Sequence, residues 1–191
     1  MDEQEAIALL KNENLVGLEF LIQQYQVKAV HTAYLITGDV STAEDVVQSA
    51  FLKVSQKIHQ FDDQRPFPPW FFRIVVNEAV KQAKSQQRSL PLEEPDEGVR
   101  EWLVDAGPKP EELAERTDLR QVVWNAIQQL PPEHRAVIVQ RHFLEMSEAE
   151  MAEEHQRPSS TIKWWLHTAR KRLRTLLDHH DREFEGDDHE R

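Results

Sequence analysis

The sequence predicts an all-α protein, with two small helical domains joined by a flexible acidic linker. Three observations carry that expectation. Apolar residues recur at helical spacing through most of the chain, and no segment shows convincing strand alternation. Only five glycines occur in 191 residues, and all but Gly17 lie away from the interiors of the periodic segments. A stretch rich in proline and acid, SLPLEEPDEGVREWLVDAGPKPEEL, has weak periodicity and separates two such regions.

The elements follow in order. A first helix is expected near residues 3–11 and a longer one from about 14 to 36, ending near Gly38. STAE, Ser41 to Glu44, has the form of a capping box opening a helix to about Ile58. FDDQRPFPP then breaks helicity with three prolines, and Pro69 suits the first turn of a helix running to about Arg88. These elements give a first domain over 1–88, followed by the linker over 89–117. The second domain, 118–177, opens with a helix from about Asp118 to Leu130, and PPE starts another through about Leu144. SEAE, Ser147 to Glu150, is a second capping box, for a short helix that fades at HQRP. Ser159 or Ser160 is then the expected cap of a final basic helix. The tail, 178–191, has no apolar face and is expected to be disordered.

Composition excludes several classes of function. Hydrophobic residues make up 39% of the chain and charged residues 30%, enough for packed cores. With no cysteine, disulfide and cysteine–zinc frameworks are ruled out. Nine histidines are scattered without an HExxH pattern, so a metal-dependent hydrolase is set aside and no metal, cofactor or catalytic set is expected. The opening MDEQEAIALLKNEN lacks a basic stretch followed by an apolar core, so no signal peptide is expected. No apolar run approaches the ~18 residues of a membrane span, and a cytoplasmic protein without membrane insertion is the expectation.

The net charge of −11 argues superficially against a nucleic-acid partner, but its distribution reverses the argument. Residues 157–174 carry six cations and no acid, whereas 89–118 carry ten acids and three bases. On the final helix, Leu166, Ala169, Leu173, Leu176 and Leu177 all fall within about 60° of Ile162 and should pack inward with it. Trp165 lies at the edge of that stripe and is assigned to the core. Trp164 falls almost opposite, beside Lys171, with Ser160, Lys163, His167 and Arg174 around it. A short capped helix, a tight turn and a helix with a basic outer face make a helix-turn-helix, whose second helix fits the DNA major groove.

The first domain shows two further faces. Over 69–88, Phe72, Val75, Val76, Ala79 and Ala83 share the inward side, while Trp70, Arg73, Asn77, Lys81, Lys84 and Arg88 share the other. Aromatics, an amide and cations beside a loop bearing Phe61 and Phe67 suit single-stranded nucleic acid, whose bases stack while cations follow the backbone. A core Trp70 with ordinary surface lysines is the competing reading. On the 41–58 helix, Ala43, Val47, Ala50, Val54 and Ile58 form the buried stripe and Leu52 points away, beside Asp45 and Gln48. A lone exposed leucine needs no function; framed by Asp45 and Gln48, this one equally fits a docking spot for a partner helix.

Taken together, STAEDVVQSAFLKV, FDDQRPFPPW, WFFRIVVNEA, LPPEHRAVIVQRHFLEMSEAEMAEEH and TIKWWLHTARKRLRTLL closely resemble the extracytoplasmic-function (ECF) subfamily of bacterial sigma-70 factors. The resemblance covers roughly residues 5–177 and implies a promoter-specificity subunit without enzymatic activity of its own. It implies binding to core RNA polymerase, with Asp45, Gln48 and Leu52 on the β′ clamp helices, the β subunit as a further contact, and the linker threading the polymerase channels. Phe61 and Asn77 match the pocket that captures a flipped base of the −10 element, flanked by the cations and Trp70 already named. Lys163, Trp164, His167 and Thr168 match groove-facing positions for the −35 element, and Arg141 matches a backbone contact. Promoter DNA is thus a partner, and the family also admits an anti-sigma factor. The chain departs from the family at Trp164-Trp165, where a small residue and Arg are usual, and at Gln156, where the turn often has Gly. The other readings weighed are an ordinary helix-turn-helix regulator, which leaves the 41–88 patterns unexplained, and a sigma-like decoy that binds without initiating.

Overall fold

The computed structural model describes residues 1–87 and 120–187, with side chains through Asp178. The described residues are helical, without strands, and fall into two compact units, one ending at Pro91 and the other beginning at Leu92. The linker assigned to 89–117, Arg88 and the last four residues lie outside the described residues.

The first unit contains α1 (Glu3–Lys11), α2 (Val16–Thr37), α3 (Val40–Lys57), a 3₁₀ turn (Ile58–Gln60) and α4 (Phe67–Gln87). Asp2 caps α1 in a reciprocal box with Glu5, satisfying two backbone donors at once. The long helix α2 is the hub, packing against α1, α3 and α4. At Gly17 an added Cβ would lie 2.1 Å from the carbonyl oxygen of Ala6, so α1 crosses α2 at a distance that only glycine permits. The core gathers Leu21, Ile36, Val46, Val54, Ile58, Phe67 and Phe71, all below 2% exposed. Tyr25 leans its ring on Phe67, Phe71 and Phe72 and donates its hydroxyl to the Glu3 carboxylate.

One boundary differs from expectation. The helix expected to open at the STAE box begins at Val40, and its cap is Asp39, whose carboxylate accepts from the Thr42 backbone N–H at 2.7 Å. Gly38, left-handed at φ 82°, closes α2 and turns the chain directly into that cap. Ser41 and Thr42 therefore lie in the first turn of α3.

The second unit contains α5 (described over 120–128), α6 (Pro132–His142), α7 (Glu148–His155) and α8 (Ser159–Asp187). Its core joins Leu130, Val137, Ile138, Met151, Ile162, Leu166 and Ala169, with Met146, Ala152, Trp165 and Leu173 packed on it. Arg135 is buried at the α5–α6 corner, donating to the Leu130 carbonyl and the Gln128 side chain; burial lowers its guanidinium to about 10. Deeper in, His155 Nε2 and the fully buried Gln140 Oε1 meet at 2.7 Å, tying α7 to α6. The Ser147 capping box forms as expected, with Glu150.

Two expectations need correction. The final helix starts at Ser159, and the Pro158 carbonyl accepts its first N–H bonds, so neither serine is the cap. The helix also continues to Asp187, so the tail is not disordered from 178 onward. No proline or glycine occurs between Ser159 and Glu185, so nothing in the sequence stops propagation once the packed part of the helix has nucleated.

Candidate nucleic-acid interface

Helix α3 divides cleanly. Ala43, Val47, Ala50, Val54 and Ile58 are buried as the periodicity requires, together with Val46 and Phe51. Asp45, Gln48 and Leu52 stand exposed at spacings of three and four along one side, with Leu52 at 62%. A leucine so exposed, flanked by an acid and an amide, presents an apolar contact within a polar rim.

On α4, Phe72, Val75, Val76, Ala79 and Ala83 are buried, while Asn77, Lys81 and Lys84 are exposed and Trp70 and Arg73 half-buried. Lys81 is shared with the protein interior: its ammonium lies 3.4 Å from Glu78, which also binds Lys53 of α3. Burial pushes the Glu78 carboxyl up, but the two lysines outweigh it and hold it below the usual carboxylate range. Arg88, placed on this face by the sequence, lies outside the described residues.

The loop before α4 corrects one inference. Phe61 and Phe67 are 5% and 1% exposed, so neither offers a free stacking face. Phe61 sits edge-on to Phe67 at 5.5 Å and tilted against Trp70 at 5.2 Å, leaving Trp70 as the partly open ring of this group. The loop is closed from within by Asp62, which accepts from the Gln64 N–H at 3.0 Å and pairs with Arg65. From outside it is held by Lys11 of α1, which no local pattern singled out because it lies 50 positions away in sequence.

In the second unit the tryptophan pair splits. Trp165 is half-buried against the core, its ring edge-on to His155 at 5.6 Å. Trp164 is 59% exposed, and its ring stands edge-to-face with that of His134 at 5.9 Å. Around it Ser160, Lys163, His167 and Lys171 are exposed, and Thr168 is half-buried. Lys163 lies 3.8 Å from Glu148 at the start of α7. Arg141 is exposed, and its Nη1 donates to the Met146 carbonyl at 2.9 Å, bracing the turn before α7. The turn between α7 and α8 pivots on Gln156, left-handed at φ 51° and ψ 44°. Two helices so joined, the second with a cationic outer face, form a helix-turn-helix whose exposed face can enter a duplex groove.

Among the described residues no cluster of acids and histidines could hold a metal ion, and no helix is long and apolar enough to cross a membrane.

Comparison with known proteins gives consistent matches. Residues 21–89 match the family Sigma-70 region 2, and residues 120–173 match Sigma-70, region 4. The chain is 30% identical to the ECF RNA polymerase sigma-E factor of Escherichia coli (strain K12), over 91% of this chain and 93% of the relative. It is 28% identical to the ECF RNA polymerase sigma factor SigW of Bacillus subtilis (strain 168), over 82% of this chain and 87% of that one. Among solved structures, CnrH in complex with the cytosolic domain of CnrY superposes with a TM-score of 0.64 at 22% identity, covering 92% of this chain and 97% of that one. The sigma factor RpoE of Bartonella quintana, in complex with the anti-sigma factor NepR, gives 0.61 at 23% identity, covering 84% and 97%. Both share the fold.

Proposed function

This chain belongs to the ECF RNA polymerase sigma factors, which direct transcription initiation, and from that premise we propose that it reads the −35 element as duplex and the −10 element as melted single strand. The observation that carries the reading is the division of α8. Ile162, Leu166 and Ala169 are 0–1% exposed on one side, and Trp164 is 59% exposed among cations on the other. A solvated amphipathic helix accounts for the cations; the exposed indole set among them is what favours a DNA-facing surface over it.

The residue assignments follow from that reading. The unit over 1–88 acts as region 2, docking on the β′ clamp helices through Asp45, Gln48 and Leu52 and taking the −10 strand along Trp70, Arg73, Asn77, Lys81, Lys84 and Arg88. Phe61 forms the floor of the base-capturing pocket. The unit over 118–177 acts as region 4, with Lys163, Trp164, His167, Thr168 and Lys171 toward the groove and Ser160 and Arg141 toward phosphates. The acidic linker, 89–117, follows the polymerase channels, where its charge suits surfaces built for nucleic acid. The polymerase performs the chemistry, and the captured bases offset the unpairing cost of a few kcal/mol per base. An anti-sigma factor is proposed as a further partner, since one solved neighbour was determined with such a protein.

The test is transcription with purified core polymerase on a promoter pool randomised over both elements. Sequence-selective initiation that depends on this chain is expected. Asn77→Ala should impair initiation on duplex promoters more than on templates already unpaired at −10. Trp164→Ala should change preference at particular −35 base pairs; a uniform loss would assign the ring to the backbone instead. Association with polymerase without any initiation would favour the decoy reading and sink this one.

A further inference from the structure

We propose that Lys11 is a positioning residue for −10 recognition, locking the 61–66 loop in the conformation that shapes the base pocket; the inference rests on the function proposed above. Region 2 is matched from residue 21 onward, so α1 lies outside that match. Nevertheless the last residue of α1 reaches across to the loop. Lys11 Nζ donates to the Phe61 carbonyl at 3.1 Å and to the two Asp63 carboxylate oxygens at 2.8 Å each. It also lies 5.9 Å from the centroid of the Phe61 ring, within reach of a cation–π contact.

An ammonium has three N–H donors and no acceptor. One N–H serves the Phe61 carbonyl and another is shared by the two Asp63 oxygens, whose carboxylate also balances the ammonium charge. Lys11 is thereby assigned a role through the loop and not as a phosphate contact. The bonds also differ from what a generic stabilising lysine needs. A cation in the last turn of a helix is favourable wherever it points. This one joins the backbone at Phe61 to the side chain at Asp63, on either side of the Asp62 turn that the loop closes by itself. With Lys11 in place, Phe61 and the backbone that carries it are fixed from two directions before any base arrives, and preorganised binding groups discriminate more sharply than mobile ones.

The experiment uses the full chain on core polymerase, comparing Lys11→Met with wild type. Methionine keeps an unbranched stem over the Phe61 ring and removes every donor. Base preference is read from transcripts of a promoter pool unpaired and randomised across the −10 element. Affinity is read from a fluorescent single-stranded −10 oligonucleotide across a salt series. The preference for the selected base over the others is expected to fall about tenfold, the order of one hydrogen bond to a charged group. Polymerase association and the salt slope should stay unchanged, and Lys11→Arg, which can reach both partners, should restore the preference. Unaltered preference, or an equal loss on every base together with a lower melting temperature, overturns the proposal. So does a salt slope reduced by about 0.7, which would make Lys11 a phosphate contact. If wild type itself shows no −10 preference, the proposed function fails first, and that outcome is visible before any variant is compared.

Discussion

Gly17 shows how much one missing methyl group can decide. The Cβ of alanine there would meet the Ala6 oxygen at 2.1 Å and the Leu10 nitrogen at 2.9 Å, both backbone atoms that cannot swing aside. Gly17→Ala must push α1 off α2, exposing Ala6, Ile7 and Leu10, which are at most 5% exposed. A loss of roughly 1–3 kcal/mol is expected, read by urea denaturation of the full chain, and an unchanged midpoint would show that α1 is not held there. Gln156 is the reverse case. A side chain in the left-handed region costs about 1–2 kcal/mol, and glycine avoids that cost while losing about 0.5–1 kcal/mol through a freer unfolded chain. Gln156→Gly should therefore stabilise the second unit by about 0.5–1 kcal/mol, and a decrease would mean that the Gln156 side chain makes a compensating contact. The tryptophan pair gives a graded comparison. Trp165 is only half-buried, so Trp165→Ala should cost roughly 2–3 kcal/mol, below the range for fully buried rings, and Trp164→Ala within about 0.5 kcal/mol.

At the scale of elements, α3 and α6 make separable claims. Leu52→Asp changes only the outer side of α3, so helical content should hold while polymerase association falls; loss of helical signal would place Leu52 in the core. Helix α6 carries a pH signature. The His134 imidazole is held below its ordinary value chiefly by burial; Glu133 opposes the shift and Arg172 reinforces it. His142 is lowered as well, by burial and then by Arg170 and Arg141. A histidine whose folded value is depressed stabilises the fold fully above its unfolded value, near 6.5, and loses that contribution as pH falls toward the folded value. The second unit should thus melt at a lower temperature at pH 5.5 than at 7.5, and a double His134→Gln, His142→Gln variant should flatten the difference. These elements also show what the sequence could reveal. Periodicity located the buried sides of α3 and α4 because apolar residues at helical spacing have one way to pack. It missed the start of α3, because STAE and the Asp39 cap compete within one turn and only the backbone after Gly38 decides between them. It had no means of finding Lys11 with Asp63 or Gln140 with His155. Those pairs are contacts between distant segments, and spacing along one helix carries no information about what lies across from it.

For the molecule as a whole, the charge distribution makes a testable claim, that recognition depends on assembly. The chain carries −11 overall, while the outer side of α8 concentrates Lys163, Arg170, Lys171, Arg172 and Arg174, all exposed. A duplex approaching the free protein meets that cationic face under the opposing field of the remaining acids, ten of them between residues 89 and 118. If, as proposed, the acidic linker follows cationic channels of the polymerase, its charge no longer repels DNA in the assembled complex. The free protein should therefore bind duplex promoter DNA weakly and with little sequence preference at physiological salt, gaining both affinity and selectivity on core polymerase. The residual binding should be electrostatic. If three or four phosphates are contacted, the log–log slope against salt is about −3, and affinity falls about 60-fold between 50 and 200 mM. Titrating a labelled −35 duplex with the free chain, and then with the assembled holoenzyme, measures both quantities. Tight, sequence-specific binding by the free chain at physiological salt would show that the acidic segments do not restrain α8. The charge distribution would then have to be explained by solubility alone.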